Sequence, residues 1–292
     1  MRFLALLILL LTGVASAPAA TTALIVIGLT ADEKDAALWR VEAEEARTAL
    51  LARGVPTNNI TLLTGDNNQP VTRDSLLAAM AKTQTATGAA GECWILLLGH
   101  SAPSRDGSPA FQLRGPRLSA GDLHDALAAF TGPTYVLLGT ELSSDYLPLL
   151  KTLPQCNAVA ASNGPMTPRF TGFWVDALKA NPKATFTQLA DGAAKQVVSY
   201  YKDNSLAQGE TASLLSGQEI QEPPFKNGAA GPAASATAPA NRANSDTTAR
   251  PAPTVKPAPA TSLNVNRGSG RSAGINGTLL ELREPPVRVA VS

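Results

Sequence analysis

Two loops of this chain carry residue types on which proton transfer or nucleophilic chemistry could depend. The first begins at His100, directly after an apolar run over residues 93–98. The second spans residues 139–145 and contains Glu141 and Ser143. A histidine beside a serine predicts base-activated nucleophilic attack, whereas a histidine beside a carboxylate predicts an acid–base couple or an ion pair. The partner that faces His100 therefore decides the chemistry.

Both loops follow segments that predict strands of one parallel sheet. A run as short as 93–98, bounded by turn residues, is typical of an interior strand. Predicted strands and helices alternate along the chain. The strands span residues 22–29, 59–63, 93–98, 135–138 and 157–161, and the helices span 36–53, 73–83, 120–130, 146–153, 172–179 and 186–201. This alternation predicts an α/β fold, a three-layer sandwich in which a mostly parallel sheet has helices on both faces.

The carboxyl ends of the predicted strands place His100 and the 139–145 loop at one cleft. Ligands and chemistry collect at this edge of open α/β sheets. The segment that follows His100 is polar and interrupted by Pro103 and Gly107, which predicts an irregular loop. The cleft is therefore expected to be bordered by loops.

The two cysteines of the chain, Cys93 and Cys156, each lie at the start of a predicted strand. That position is ~17 Å from His100 along the strand, so His100 could not activate either thiol as a nucleophile. If another strand lies between the two strands that carry them, Cys93 and Cys156 would be ~9–10 Å apart. This distance is too wide for a disulfide unless the flanking loops converge. We expect two buried free thiols, and a disulfide, which an exported protein would permit, is the alternative.

No cofactor, metal or nucleic-acid site is predicted. His100 and His124 are the only histidines, and His124 falls on a predicted helix, where an exposed residue is the simplest interpretation. The formal net charge is +1, and no basic stripe interleaved with aromatic residues occurs. Residues 225–292 carry eight Lys or Arg against three Asp or Glu, so the preceding part is acidic.

The chain divides into four predicted segments. Residues 1–19 combine a positive residue, an apolar stretch and a small-x-small site, which predicts a cleaved signal peptide and a periplasmic or extracellular protein. Residues 20–222 predict one α/β domain, and no later apolar run is long enough to span a membrane. Residues 223–262, rich in Ala and Pro, predict a disordered linker. Residues 263–292 form a tail that is either a short docking segment or plain disorder.

The order of these pieces resembles the caspase–legumain group of cysteine peptidases. The sequences that carry the resemblance are, in chain order, TALIVIGL, GVPTNNITLL, VTRDSLLAAM, ILLLGH, YVLLGTELSS, AVAASN and FTGFWVDALK. The resemblance covers roughly residues 22–215, and the order and spacing of the pieces carry it rather than one motif. It implies the caspase-like fold, with a His–Cys dyad after the third and fourth strands.

The resemblance also implies that the nucleophile is absent. His100 matches the family histidine, with Ser101 in place of the usual glycine. In GTELSS, Glu141 stands at the position of the family cysteine and Ser143 at that of the family serine. Amide cleavage through a covalent intermediate needs an attacking atom that an adjacent base makes anionic and that leaves readily. A carboxylate would form a mixed anhydride, which is a poor route to amide cleavage.

The leading hypothesis is an exported, catalytically inactive caspase-like domain that binds a peptide or protein in its cleft. The alternative is an active hydrolase in which His100 works with Ser143 or Glu141, although no Gly-x-Ser-x-Gly elbow surrounds Ser143. A third hypothesis is a structural envelope protein with a vestigial cleft. If Glu141 lies within ~4–6 Å of His100, its charge is expected to raise the pKa of the imidazole.

Overall fold

The computed structural model describes residues 19–30, 32–65 and 70–225. The predicted signal peptide up to residue 18, the predicted linker beyond residue 225 and the tail over 263–292 lie outside the described residues. No helix in the described ranges is long and apolar enough to cross a bilayer.

Strands and helices alternate through most of the described chain. The strands are β1 (Thr21–Ile27), β2 (Ile60–Leu63), β3 (Glu92–Leu98), β4 (Ser101–Pro103), β5 (Pro109–Phe111), β6 (Leu118–Ser119), β7 (Thr134–Gly139), β8 (Cys156–Ala160), β9 (Ser213–Ser216) and β10 (Glu219–Gln221). The helices are α1 (Glu33–Arg53), α2 (Arg73–Thr87), α3 (Ala120–Ala128), α4 (Leu147–Leu150), α5 (Phe170–Ala180) and α6 (Phe186–Asp203). Short 3₁₀ turns cover Thr57–Asn59 and Ser143–Tyr146.

The main sheet has seven strands in the order β10-β9-β8-β7-β3-β1-β2. Five neighbouring strands pair in parallel, namely β2, β1, β3, β7 and β8. The hairpin of β9 and β10 is antiparallel and extends the sheet beyond β8. The predicted α/β fold with a mostly parallel sheet is confirmed. β3 and β7 are direct neighbours in this order, so their exit loops meet at the same edge of the sheet.

Side chains of the central strands are buried on both faces of the sheet, which confirms the three-layer arrangement. Alternation along a strand sends Ile25 and Leu96 to one face, where they pack with residues of α1, α5 and α6. Leu24 and Ile95 point to the other face and pack with residues of α2, α3 and α4. This two-sided burial explains why these strands are continuous apolar runs without polar alternation.

Local signals in the sequence fix the ends of the helices. Asp32 caps α1 by accepting the amide of Asp35, and Gly54 ends it at a φ of 104°, where glycine avoids the steric cost of other residues. Thr72, Ser119 and Thr185 each form a capping box, at the start of α2, α3 and α6 respectively. The first turns of α1 carry Asp35 and Trp39, which lie against His100.

The structure corrects three expectations about local structure. The segment after His100 is not an irregular loop, because β4, β5 and β6 pair as a small antiparallel sheet. The helix expected over 146–153 is a 3₁₀ turn followed by the single turn of α4. The β9–β10 hairpin was not predicted as strands. Strands of two to four residues carry too few side chains for a readable period, and their pairing depends on distant partners.

Both cysteines are free and buried, as expected. Thr134 of β7 pairs with Cys93 on one side and with Cys156 on the other, so one strand separates the two thiols. Burial raises the pKa of Cys93 to about 11 and that of Cys156 to about 12. Both residues are therefore neutral side chains of the core.

Candidate functional site

The exit loops of β3 and β7 bring His100 and Glu141 into direct contact. Nδ1 of His100 lies 2.6 Å from Oε1 of Glu141, a hydrogen bond between an imidazole and a carboxylate. The register of β3 and β7 pairs Leu98 with Gly139, so each of these side chains follows its strand by two residues. The sequence predicted this proximity because the two strands were expected to end at one edge of the sheet.

Further donors hold the carboxylate of Glu141, which is only 6% exposed. Its Oε2 accepts the backbone amide of Ser101 at 3.0 Å, and its Oε1 also accepts the hydroxyl of Thr167 at 3.2 Å. The hydroxyl of Ser101 donates to the backbone carbonyl of Glu141. The carboxylate is thus fixed from several sides instead of being free in the cleft.

The second nitrogen of His100 faces another carboxylate, which the sequence analysis missed. Oδ2 of Asp35 lies 3.3 Å from Nε2 of His100, an ion-pair contact without the alignment of a hydrogen bond. Trp39, one turn further along α1, presents its ring edge-on to the imidazole at a centroid distance of 4.7 Å. Two features of the sequence could have indicated this contact. Asp35 and Trp39 are spaced i, i+4 and so share one face of a helix. That helix directly follows β1, which is the neighbour of β3 and so ends close to His100.

The two members of the pair shift each other's ionisation in opposite directions. The hydrogen bond to Glu141 is the main cause that raises the pKa of His100, with burial opposing it and the charge of Asp35 adding to it. Burial by itself raises the pKa of Glu141, but the hydrogen bonds from His100 and Ser101 outweigh it and hold that pKa below its usual range. Both shifts favour the charged forms of the pair, an imidazolium hydrogen-bonded to a carboxylate.

Ser143 and Ser144 hydrogen-bond to the segment after β8. Oγ of Ser143 donates to the carbonyl of Ser162 at 3.1 Å and accepts the amide of Ser162 at 3.0 Å. Oγ of Ser144 lies 3.4 Å from the same carbonyl and 3.4 Å from Oγ of Ser213. Ser143 is completely buried. Its hydroxyl joins the exit loops of β7 and β8, whereas the carboxylates of Glu141 and Asp35 contact His100.

A cleft of about 600 Å³ opens above His100 and Glu141. Its remaining lining is mainly apolar, with neutral polar groups between, and comprises Leu29, Thr30, Ser101, Ala102, Pro103, Gln112, Leu142, Pro165 and Thr167. Three of these residues belong to β4, so the small sheet that the sequence did not predict forms one wall. No Lys or Arg occurs among these lining residues.

Other candidate groups do not form a second site with His100. His124 lies on α3, where its Nε2 is 2.9 Å from the hydroxyl of Thr152 and its Nδ1 is 3.0 Å from Oδ1 of Asp125. Within the described ranges, no group of three or more His, Cys, Asp or Glu side chains is placed to hold a metal ion.

Comparisons with known proteins give structural similarity only. No family model and no curated protein matches the sequence. One similar solved structure is a secreted C11 cysteine protease from Bacteroides thetaiotaomicron in complex with an irreversible peptide inhibitor, with 12% identity and a TM-score of 0.44. The match covers 67% of this chain and 66% of the protease, so this chain spans just under two thirds of the protease's length.

A second similar structure is the protein GSU0716 from Geobacter sulfurreducens. It has 14% identity and a TM-score of 0.44, and the match covers 67% of this chain and 92% of that one. The caspase–legumain resemblance of this chain rests on the order and spacing of its sequence pieces and on His100, whereas Glu141 departs from the family pattern.

Proposed function

We propose that this chain is an exported caspase/legumain-like domain that lacks peptidase activity and binds a peptide or protein segment in the cleft beside His100. One observation carries the proposal. Where the family resemblance implies a cysteine thiol, the carboxylate of Glu141 lies 2.6 Å from Nδ1 of His100.

The ionisation of the pair supports the absence of catalysis. A histidine acts as a general base only through an unprotonated nitrogen. Here Nδ1 faces Glu141 and Nε2 faces Asp35, and both carboxylates favour the protonated ring. The oxygens of Glu141 are themselves engaged by His100, Ser101 and Thr167, which makes them poor nucleophiles. These contacts disfavour both a free base and a free nucleophile for attack on an amide.

The cleft supports a binding role. Its volume of about 600 Å³ falls within the range of protein ligand sites, roughly 300–1,000 Å³. Apolar side chains such as Leu29 and Pro165 line it, and Leu29 is 45% exposed. An extended segment that buries one or two apolar side chains there would remove this surface from water, at about 25 cal/mol per Å² of apolar area.

A catalytic assay tests the inactive state. The purified full chain is offered mixed peptide substrates and probes that label reactive Ser or Cys residues. We expect neither turnover nor labelling. Turnover that disappears in His100→Ala would overturn the proposal, and labelling that disappears in Ser143→Ala would identify the serine as a nucleophile. A Glu141→Cys variant tests whether a thiol beside His100 is all that is missing.

A binding assay tests the cleft. A library of random peptides is selected on the immobilised full chain, and enriched sequences are titrated against it by calorimetry. Leu29→Glu places a charge on the cleft wall and is expected to lower affinity at least tenfold. Val198→Glu is the matched control, because Val198 is 50% exposed on α6 and does not line this cleft. Equal affinity of both variants would place binding outside the cleft.

A further inference from the structure

The donors around Glu141 come from separate parts of the chain and converge on one carboxylate. His100 and Ser101 follow β3, whereas Thr167 belongs to the loop between β8 and α5. They lie 2.6, 3.0 and 3.2 Å from the oxygens of Glu141. A charged donor combined with a backbone amide and a hydroxyl is the set of groups with which proteins bind carboxylates.

The amide of Ser101 is available for this purpose because of its place in β4. The pairing of β4 with β5 uses the carbonyl of His100 and the amide of Ser104, which bond to Gln112 and Ser108 at 2.9 and 2.7 Å. Alternation in an antiparallel pair then directs the amide of Ser101 away from β5. Without the carboxylate of Glu141, this buried donor would lack its partner, which is unfavourable.

We infer that His100, Ser101 and Thr167 form a carboxylate-binding site whose resident ligand is the protein's own Glu141. The inference concerns the cleft of the proposed function, and it rests on that function in treating Glu141 as a non-nucleophilic residue. In the native chain the site is closed to carboxylates from outside, so ligands of the cleft are selected by its apolar walls. Removal of the Glu141 side chain opens the site to a small carboxylate such as acetate.

The test uses the full chain carrying Glu141→Ala, titrated with acetate at constant ionic strength. Only two histidines occur in the chain, so the imidazole signals of His100 and His124 are resolved directly by NMR. Truncation is expected to lower the pKa of His100 toward the value of a free imidazole, about 6.5. Acetate is then expected to raise it again in a saturable way, while His124, next to the exposed Asp125, does not respond.

Matched variants separate site binding from general salt effects. Glu141→Gln keeps the site filled, so acetate should leave its His100 signals unchanged. Acetamide, which is neutral and of similar shape, should not replace acetate in Glu141→Ala. Adding Thr167→Val to Glu141→Ala removes one donor and should weaken acetate binding severalfold. An unchanged His100 in Glu141→Ala with acetate, or equal responses of both histidines, would overturn the inference.

A second measurement covers loss of stability in the variant. If Glu141→Ala is too unstable for NMR, its melting temperature is recorded in acetate and in chloride of equal ionic strength. A ligand that binds only the folded state raises the melting temperature, so we expect stabilisation by acetate in Glu141→Ala and none in Glu141→Gln. Equal melting temperatures in both salts contradict the site. Peptide turnover by the native chain would instead contradict the proposed function.

Discussion

His100 and Glu141 stabilise the folded chain together only over a limited range of pH. The pKa of Glu141 lies below its ordinary value of 4.5 in the folded chain, so its contribution is present above 4.5 and is lost as the pH falls through the folded pKa. The pKa of His100 lies above 6.5, so its contribution is complete below 6.5 and is lost as the pH rises through the folded pKa. The pair therefore contributes most between 4.5 and 6.5.

Glu141→Gln should reveal this window. The variant keeps the size of the side chain but removes the charge that holds His100 protonated. The difference in melting temperature between wild type and Glu141→Gln is expected to be largest between pH 4.5 and 6.5 and to shrink on either side. Asp125→Asn, which removes the exposed partner of His124, serves as control and should show little change. A difference that does not vary with pH would contradict the ion pair.

Among the structural elements, the end of β1 and the small β4–β5–β6 sheet set the cleft wall. The amide of Leu29 donates to the carbonyl of Gln112 at 2.8 Å, which ties the two elements together. Gly28 makes this approach possible. A Cβ at Gly28 would lie 2.7 Å from the carbonyl oxygen of Gln112 and 2.7 Å from a ring atom of Phe111.

Gly28→Ala is therefore expected to displace β5 and to destabilise the chain by about 1–3 kcal/mol, as overpacking does. Chemical denaturation measures the loss, and a lower affinity for cleft ligands should accompany it. Gly121→Ala in α3 is the matched control, because a Cβ there would meet only the hydroxyl of Ser119 at 3.7 Å. That change should be neutral or stabilising by up to about 1 kcal/mol. Equal losses in both variants would show that the close contact is unimportant.

For the molecule as a whole, one buried carboxyl group couples stability to pH. Glu42 of α1 is 8% exposed and packs against Gly172 of α5. A Cβ added to Gly172 would lie 3.0 Å from Oε1 of Glu42. Its Oε2 has no hydrogen-bond partner in the described part of the chain. Burial, reinforced by the charges of Glu45 and Asp176, raises the pKa of Glu42 to about 8.

The sign of the effect follows from that pKa. Between pH 4.5, the ordinary pKa of a glutamate, and about pH 8, the folded chain keeps a proton on Glu42 that the unfolded chain has lost. Glu42 should therefore make stability fall with rising pH across this window, by up to about 1.4 kcal/mol per pH unit. Glu42→Gln should remove this slope and be the more stable protein at pH 8. Glu44→Gln, in which the exposed partner of Arg47 on the same helix is changed, should keep the slope.

Global stability also controls the reactivity of both thiols. Cys93 and Cys156 are 0% and 2% exposed, and their raised pKa values keep them neutral. A thiol reagent should therefore label them only when the chain unfolds, at a rate that follows denaturant concentration. Fast labelling of one cysteine in the native chain would show that its strand opens locally.

The sequence by itself determined the features that depend on local chemistry. Continuous apolar runs identified the buried parallel strands, and the shared sheet edge placed His100 near Glu141. The role of Asp35, the β4–β5–β6 sheet and the contacts of Ser143 with Ser162 were decided only by tertiary structure. Each of these depends on where separate loops meet, and pairings between distant residues leave no period in the sequence.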